Sequence, residues 1–237
     1  MVRKIIALAL SAAAIGCAAR QPWSFNQGDF TMAKELPYDS PPQVIYRIDD
    51  HRFVTLERYR DCYHGETYYN DTKLAVRSYL GRGAVEDFQG RLINADPTGR
   101  NLAFPTAMPP GAFCGNGERG CNLGLLYSTD GGRTFRGMVY FEHSFNPYVD
   151  TKAYTVVADG SRVYVSEARQ SKAYVVSYPL VPGYAYTGKD ALPDGYEIKF
   201  DTTVPSGLRT PSGQDHITCD ASIKPTNPDA PLVRGRQ

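Results

Sequence analysis

Beyond residue 40 the chain is broken into short runs rich in β-branched and aromatic residues, each bounded by Gly, Asp, Asn or Pro. This punctuation limits the fold more than any other feature, because runs of about four to eight residues fit strands and are too short for packed helices. The candidates are "QVIYRID", "RFVTLERY", "TKLAVRSYL", "FQGRLINA", "NLAFPTA", "GLLYST", "TFRGMVYF", "AYTVVA", "RVYVSEA", "KAYVVSYPL" and "YEIKF". Asp49-Asp50-His51 reads as a turn between the first two. Asp130-Gly131-Gly132 and Asp159-Gly160 each join two runs as a hairpin, since Asp and Gly accept the positive φ that such turns need. The one helix candidate is short, Ala84 to Phe88. The expected fold is all-β: a single domain of antiparallel hairpins, sandwich- or partial-propeller-like, with irregular loops and little helix. No repeat of propeller-blade period recurs.

The ends differ from this body. Met1-Val2-Arg3-Lys4 followed by the apolar run Ile5 to Gly16 has the length and flanks of a secretory signal peptide. The run is shorter than the about 20 residues that span a bilayer. Ala14-Ile15-Gly16 before Cys17 resembles a bacterial lipobox, with alanine where leucine is usual. In that reading Cys17 becomes the lipidated N-terminus, and each buried methylene contributes about 0.8 kcal/mol of anchoring. An ordinary signal peptide cut at "CAAR" is the alternative. Ala18, in place of an aspartate, favours the inner leaflet of the outer membrane, facing the periplasm. The expected organisation is a signal peptide over 1–16, a lipidated tether over 17–40, the β domain over 41–222 and a Pro-rich tail over 223–237.

With Cys17 lipidated, Cys62, Cys114, Cys121 and Cys219 remain. In an oxidising compartment an even count reads as two disulfides, with three connectivities open. Cys114 and Cys121 bracket "GNGERG", a loop able to close on itself, which favours Cys114–Cys121 and Cys62–Cys219. Zinc is disfavoured by the absence of C-x-x-C spacing and of a nearby histidine. The formal charge of +1 becomes −1 once Arg3 and Lys4 leave with the signal peptide, so nucleic acid is not an expected partner. Tyrosine, 17 residues against 10 Phe and 1 Trp, suits half-exposed strand faces and contact surfaces.

Ser128 to Phe135, "STDGGRTF", fits S-x-D-x-G-x-x-[FW] and resembles the Asp-box turn of sialidases and other β-propellers. In such a turn Asp130 accepts backbone amides, glycine permits the bend and the aromatic packs beneath. Ser128, Asp130, Gly132 and Phe135 are therefore expected to be structural. "YRID", Tyr46 to Asp49, partly matches the F/Y-R-I-P signature of sialidases, with Asp49 where proline should stand. An envelope glycan-binding or sialidase-like protein is thus one reading. Arg47 would be its test, and a single Asp-box hairpin without an arginine-lined pocket would count against it.

Enzyme signatures are otherwise missing: no G-x-S-x-G, no H-E-x-x-H and no Gly-rich phosphate loop before a helix. His51, His64, His143 and His216 are scattered. Asp61, His64 and Glu66 in "DCYHGETYY" read as a polar loop beside a disulfide rather than as metal ligands or an acid–base pair. Ser212, Asp215 and His216 lie in a Pro- and Gly-rich segment with no nucleophile elbow. No catalytic residue, metal or cofactor is expected.

Four longer blocks carry a further resemblance: "PPQVIYRIDDHRFVTLERYRDCYHGETYYNDTK", "GRLINADPTGRNLAFPTA", "LLYSTDGGRTFRGMVY" and "LRTPSGQDHITCDASIKPTNPDAP". Together they resemble the Tli-three-like family of periplasmic immunity lipoproteins paired with type VI secretion lipase effectors, over about Pro41 to Pro231. The resemblance implies a non-catalytic protein that binds a cognate lipase effector and blocks it, anchored to the membrane by its lipid. Its toxin-binding surface is expected after Cys62, at Tyr63, His64, Tyr68 and Tyr69, where tyrosines are too dense for all to be core.

Overall fold

The computed structural model describes residues 24–114, 119–188 and 190–235. The expected signal peptide, the lipidation site Cys17 and the first part of the expected tether lie outside the described residues. In chain order the elements are α1 (Gln27–Met32), β1 (Ala33–Glu35), β2 (Gln43–Arg47), β3 (Arg52–Asp61), β4 (His64–Asp71), β5 (Val76–Arg82) and β6 (Arg91–Asn94). They continue with β7 (Leu102–Pro105), β8 (Cys121–Ser128), β9 (Arg136–Ser144), α2 (Pro147–Asp150), β10 (Tyr154–Ala158), β11 (Arg162–Glu167), β12 (Tyr174–Pro179) and β13 (Val233–Arg234). The fold is an all-β single domain, as its punctuation implies.

Three sheets share one core. β2-β3-β4-β5 is an antiparallel meander and β7-β8-β9 a three-stranded antiparallel sheet. The third sheet, in the order β12-β11-β10-β6, departs from the all-hairpin expectation, because β6 pairs with β10 in parallel. Ile45, Tyr46, Val54, Leu56 and Tyr69 of the first sheet meet Phe104, Leu125 and Tyr127 of the second and Leu92, Val156 and Val163 of the third. Such side chains contribute about 1.5–3 kcal/mol each when fully buried.

Local expectations fail at five places. "HGETYYND", read as loop, is strand β4. The helix candidate near Ala84 is a single 3-10 turn, Val85–Asp87, and "YEIKF" contributes only one bridge, Ser177 with Lys199. The described part of the expected tether is packed. Asn26 caps α1 by accepting the Gly28 amide at 2.8 Å, as short polar side chains do at helix starts, and Phe30, Ala33, Leu36 and Tyr38 bury a small core of their own. Nor does the Pro-rich tail trail off within the described residues: β13 pairs antiparallel with β1, and Thr226 and Asn227 bond Asp39 at 2.7 and 3.1 Å.

The segment 209–220 runs as a strap between the first and third sheets. Ser212 N–H donates to Ile48 C=O and Thr218 N–H to Ile45 C=O, both at 2.8 Å, while Leu92 N–H donates to Asp215 C=O at 2.8 Å. The strap thus occupies the open edge of β2, an edge that would otherwise invite strand pairing. Tyr46 Oη fastens it from within, bonding Leu92 C=O at 3.0 Å and Thr210 Oγ1 at 2.9 Å. Cys62 is bridged to Cys219 with Cα atoms 5.8 Å apart, and Cys114 to Cys121 with Cα atoms 5.3 Å apart.

The Asp-box hairpin joins β8 to β9. Asp130 accepts from Thr134 N–H at 3.0 Å and Thr134 Oγ1 at 2.6 Å. Ser128 Oγ takes the Gly132 amide at 2.9 Å and donates to Asp130 at 2.8 Å, so the two side chains divide the turn between them. Gly132, at φ +80°, lies so close to Tyr69 that a Cβ would sit 2.2 Å from its ring. Phe135 packs on Tyr69 and Phe104, with ring centroids 5.9 and 5.7 Å away.

Candidate interaction face

The four residues placed on the expected toxin-binding loop separate in three directions. Tyr69 is fully buried in the aromatic cluster with Phe104 and Phe135. It is a core residue, because the alternation of β4 turns it inward opposite Val54. Tyr63 and His64 sit half-buried at the hairpin end between β3 and β4, engaged within the molecule. The Tyr63 ring meets Tyr148 edge-on at 5.5 Å, and His64 is flanked by Phe25 at 4.4 Å and Phe30 at 5.5 Å from the N-terminal arm. Tyr68 alone of the four faces outward from the open side of the meander.

That outer face is a connected layer of aromatic and charged side chains. The Arg77 guanidinium lies 3.7 Å over the Tyr68 ring and bonds Glu57 at 2.8 Å. Tyr79, 52% exposed, packs beside Tyr68 at 5.4 Å. Tyr68 Oη donates to Glu66 at 2.9 Å, and Arg82 donates to the other Glu66 oxygen through Nε at 3.0 Å and Nη2 at 2.6 Å. Arg58 adds a contact to Glu66 at 3.8 Å. Along the same face the Arg47 guanidinium lies 5.5 Å over Phe53. A depression of about 480 Å³ opens between Tyr68, Tyr79, Arg58 and Arg82 on one side and Lys34 and Glu35 on the other. Antiparallel sheets commonly leave one face to solvent, but Tyr and Arg held in place by buried partners are the residue types that dominate binding energy at interfaces. Sequence reading missed Tyr79 and Arg77, which the register of β4 against β5 brings beside Tyr68 and Asn70.

Candidate chemistry elsewhere does not assemble. His64 Nδ1 pairs with Asp61 at 2.7 Å, while Glu66 is spent on Arg82 and Tyr68. Burial pushes the Asp61 carboxyl up, but His64, the Tyr63 amide and Arg60 outweigh it and hold it below the usual range. His216 pairs with its neighbour Asp215 at 2.7 Å, and Ser212 Oγ is used to fasten the strap to Arg47 C=O at 2.5 Å. Among the described residues no three His, Cys, Asp or Glu side chains gather as a metal site, and no helix is long and apolar enough to cross a membrane.

Beside the corner that seats Tyr63 and His64, the 3-10 turn buries two acids. Burial pushes the Glu86 carboxyl up to about 7, even though it accepts the Gly83 and Ala84 amides at 2.8 and 3.0 Å. Both Asp87 oxygens are buried without a hydrogen-bond partner. Burial first, then the Glu86 and Asp61 charges, push this carboxyl well above the ordinary range. A raised acid keeps its proton in the folded state after the unfolded chain has lost it, so stability falls as pH climbs through that window. For Glu86 the window runs from 4.5 to about 7; for Asp87 it opens at 3.8 and extends upward. Asp87→Asn removes the second contribution. Relative to the parent it should melt at a similar temperature at pH 3, below that window, and be more stable at pH 8, by about 1 kcal/mol or more. Thermal melts at the two pH values check this, and an equal increment at both would show that the Asp87 carboxyl is not the titrating group.

The family model described as T6SS Tli3 immunity protein matches residues 38–167, more than half of the 237 residues. The chain belongs to the Tli3 immunity protein family of the type VI secretion system. The matched span runs from the start of the β domain through β11 and so includes the whole outer face and the Asp-box hairpin; the strap and Cys219 lie beyond it. No curated protein matches the chain. Membership in the Tli3 immunity family implies a T6SS effector as binding partner.

Proposed function

We propose that this T6SS immunity protein is lipid-anchored in the periplasm, where it binds a (phospho)lipase effector and blocks it without catalysing a reaction itself. The observation that carries the reading is the uncovered sheet face organised around Tyr68, Tyr79 and Arg77. Anchoring is read from the apolar run Ile5 to Gly16 ahead of Cys17, and two disulfides suit an oxidising compartment. Neutralising a delivered enzyme calls for nanomolar affinity, about −12 kcal/mol, which a few aromatic and arginine anchors supply.

Mixing the full chain with its cognate T6SS lipase effector should abolish lipase activity at equimolar ratio. Tyr68→Ala and Tyr79→Ala should each weaken binding by about 2 kcal/mol, roughly 30-fold, with the Tyr79→Ala melting temperature close to the parent's. Full lipase activity in a saturating mixture would sink the reading. Inhibition untouched by either substitution would place the interface elsewhere.

The glycan-binding reading has one observation in its favour, an arginine-lined groove beside the Asp-box hairpin. The lining holds no tyrosine to act as a sialidase-type nucleophile, and its one carboxylate, Asp130, is taken up by Ser128 and Thr134. Arg47 stacks on Phe53, on the outer face of the meander.

A further inference from the structure

The groove beside the Asp-box hairpin has a volume of about 530 Å³. Arg100, Arg133 and Arg136 line it, with Leu74 of the β4–β5 turn and the bend at Pro182 and Gly183 closing it. All three arginines are exposed. Among the described residues none of them has an acidic partner; Arg133 makes a bond only to Asp130 C=O, at 2.8 Å. Arg52, Arg77, Arg82 and Arg91 are by contrast each matched to a carboxylate at 3.0 Å or less; Arg47 and Arg162 also lack one, but Arg47 stacks on Phe53 and Arg162 is held by Ser177 and the Glu197 carbonyl. Nor can nearby acids be redirected into the groove. Asp130 is held by Thr134 and Ser128, Asp49 by Arg52 at 2.7 Å, and Asp71 by the amides of Lys73 and Leu74, both at 3.0 Å.

We infer that this groove receives an acidic segment, bearing Asp or Glu side chains, of the effector that the protein neutralises. The inference rests on the proposed function and adds a second contact region to it. Unmatched guanidiniums in a concavity focus positive potential outward, and their planar forks suit carboxylates. Their backbone is anchored: Gly131 N–H bonds Arg100 C=O at 2.9 Å, and Ser78 Oγ bonds Gly132 C=O at 2.5 Å. Position favours a protein ligand over a lipid surface. The N-terminal arm seats Phe25 on His64, at the β3–β4 end of the meander, whereas the groove touches Leu74 at the opposite end. β3 alone separates those ends by ten residues, about 30 Å of extended chain, so the groove lies at the end of the meander opposite the N-terminal arm.

The test uses the full chain carrying Cys17→Ser, so that no acyl chain is attached. Binding to the cognate lipase effector is followed by stopped flow at low and high salt, alongside lipase inhibition. The triple variant Arg100→Gln, Arg133→Gln, Arg136→Gln should lose about 10-fold or more in association rate at low salt and show a flatter salt dependence. The corresponding triple Lys variant should keep most of both. Inhibition with an association rate and salt slope unchanged in the Gln variant would overturn the groove and leave the proposed function standing. If the parent fails to inhibit, the proposed function falls, and a titration with hexaglutamate decides the groove. Shifts of the arginine side-chain NMR signals in the parent, lost in the Gln variant, support it. No response, or a response to N-acetylneuraminate or phosphatidylglycerol vesicles in place of hexaglutamate, overturns it.

Discussion

Reducing the Cys62–Cys219 bridge is expected to lower the melting temperature by roughly 10–20 °C. The two cysteines are 157 residues apart in sequence, and opening a loop of that length returns about 5 kcal/mol of conformational entropy to the unfolded chain. The strap loses more than entropy. Its bonds to Ile45, Ile48 and Leu92, all at 2.8 Å, remain geometrically possible but belong to a segment free to fray. Gln43 grips Asp220 through its amide at 2.9 and 3.2 Å and cannot replace a covalent link. The Cys114–Cys121 bridge closes only 7 residues and should contribute about 2–3 kcal/mol. Paired Cys→Ser variants melted with and without reductant test the ranking. Equal losses for the two bridges would mean that the strap is not held by Cys219.

Arg82→Ala should destabilise the fold by about 3–5 kcal/mol, because it leaves the Glu66 carboxylate buried without its principal counter-charge. Glu66 is almost inaccessible, with its side chain 3% exposed. The remaining groups, Tyr68 Oη at 2.9 Å and Arg58 at 3.8 Å, are too few and too distant to compensate. Arg82 also donates to Ala33 C=O, so the same substitution loosens the N-terminal arm from the meander. Urea denaturation of the single variant and of the pair Glu66→Gln with Arg82→Ala separates the two effects. The pair should recover a large part of the loss, since the uncompensated charge is gone. A pair no more stable than Arg82→Ala would assign the cost to the arm. Both variants should also weaken effector binding under the proposed function, because Glu66 is what orients Tyr68.

The hairpins were legible because their information is local. β10 and β11 carry alternating valine and tyrosine around Asp159-Gly160, and the Asp-box turn is specified within eight residues. What escaped was specified at a distance. β4 reads as polar because Glu66 is buried by virtue of Arg82 on another strand and Asp71 by the turn that follows it, and no period in "HGETYYND" announces them. The arm and tail look unstructured alone, since Asp39 bonds Thr226 and Asn227 across nearly the whole chain. Of the candidate interface, tyrosine density pointed to β4 but could not tell which of its side chains face outward. Tyr68 and Tyr69 are neighbours with opposite fates, and only the register against Val54 and Tyr79 decides which one meets solvent.

The pairing of β1 with β13 brings Ala33 opposite Arg234, and Asp29 bonds Arg234 across the same junction. Although the Cys62–Cys219 bridge shortens the loop to be closed, this seam joins segments that share no hairpin and is expected to close after the hairpins. Contacts formed that late are absent from the folding transition state, and strengthening them slows unfolding far more than it speeds folding. A protein that waits for an attack of unknown timing depends on how long each molecule stays folded as well as on its equilibrium free energy. Added contacts at the seam between β1 and β13 are therefore expected to lengthen the folded lifetime of this protein.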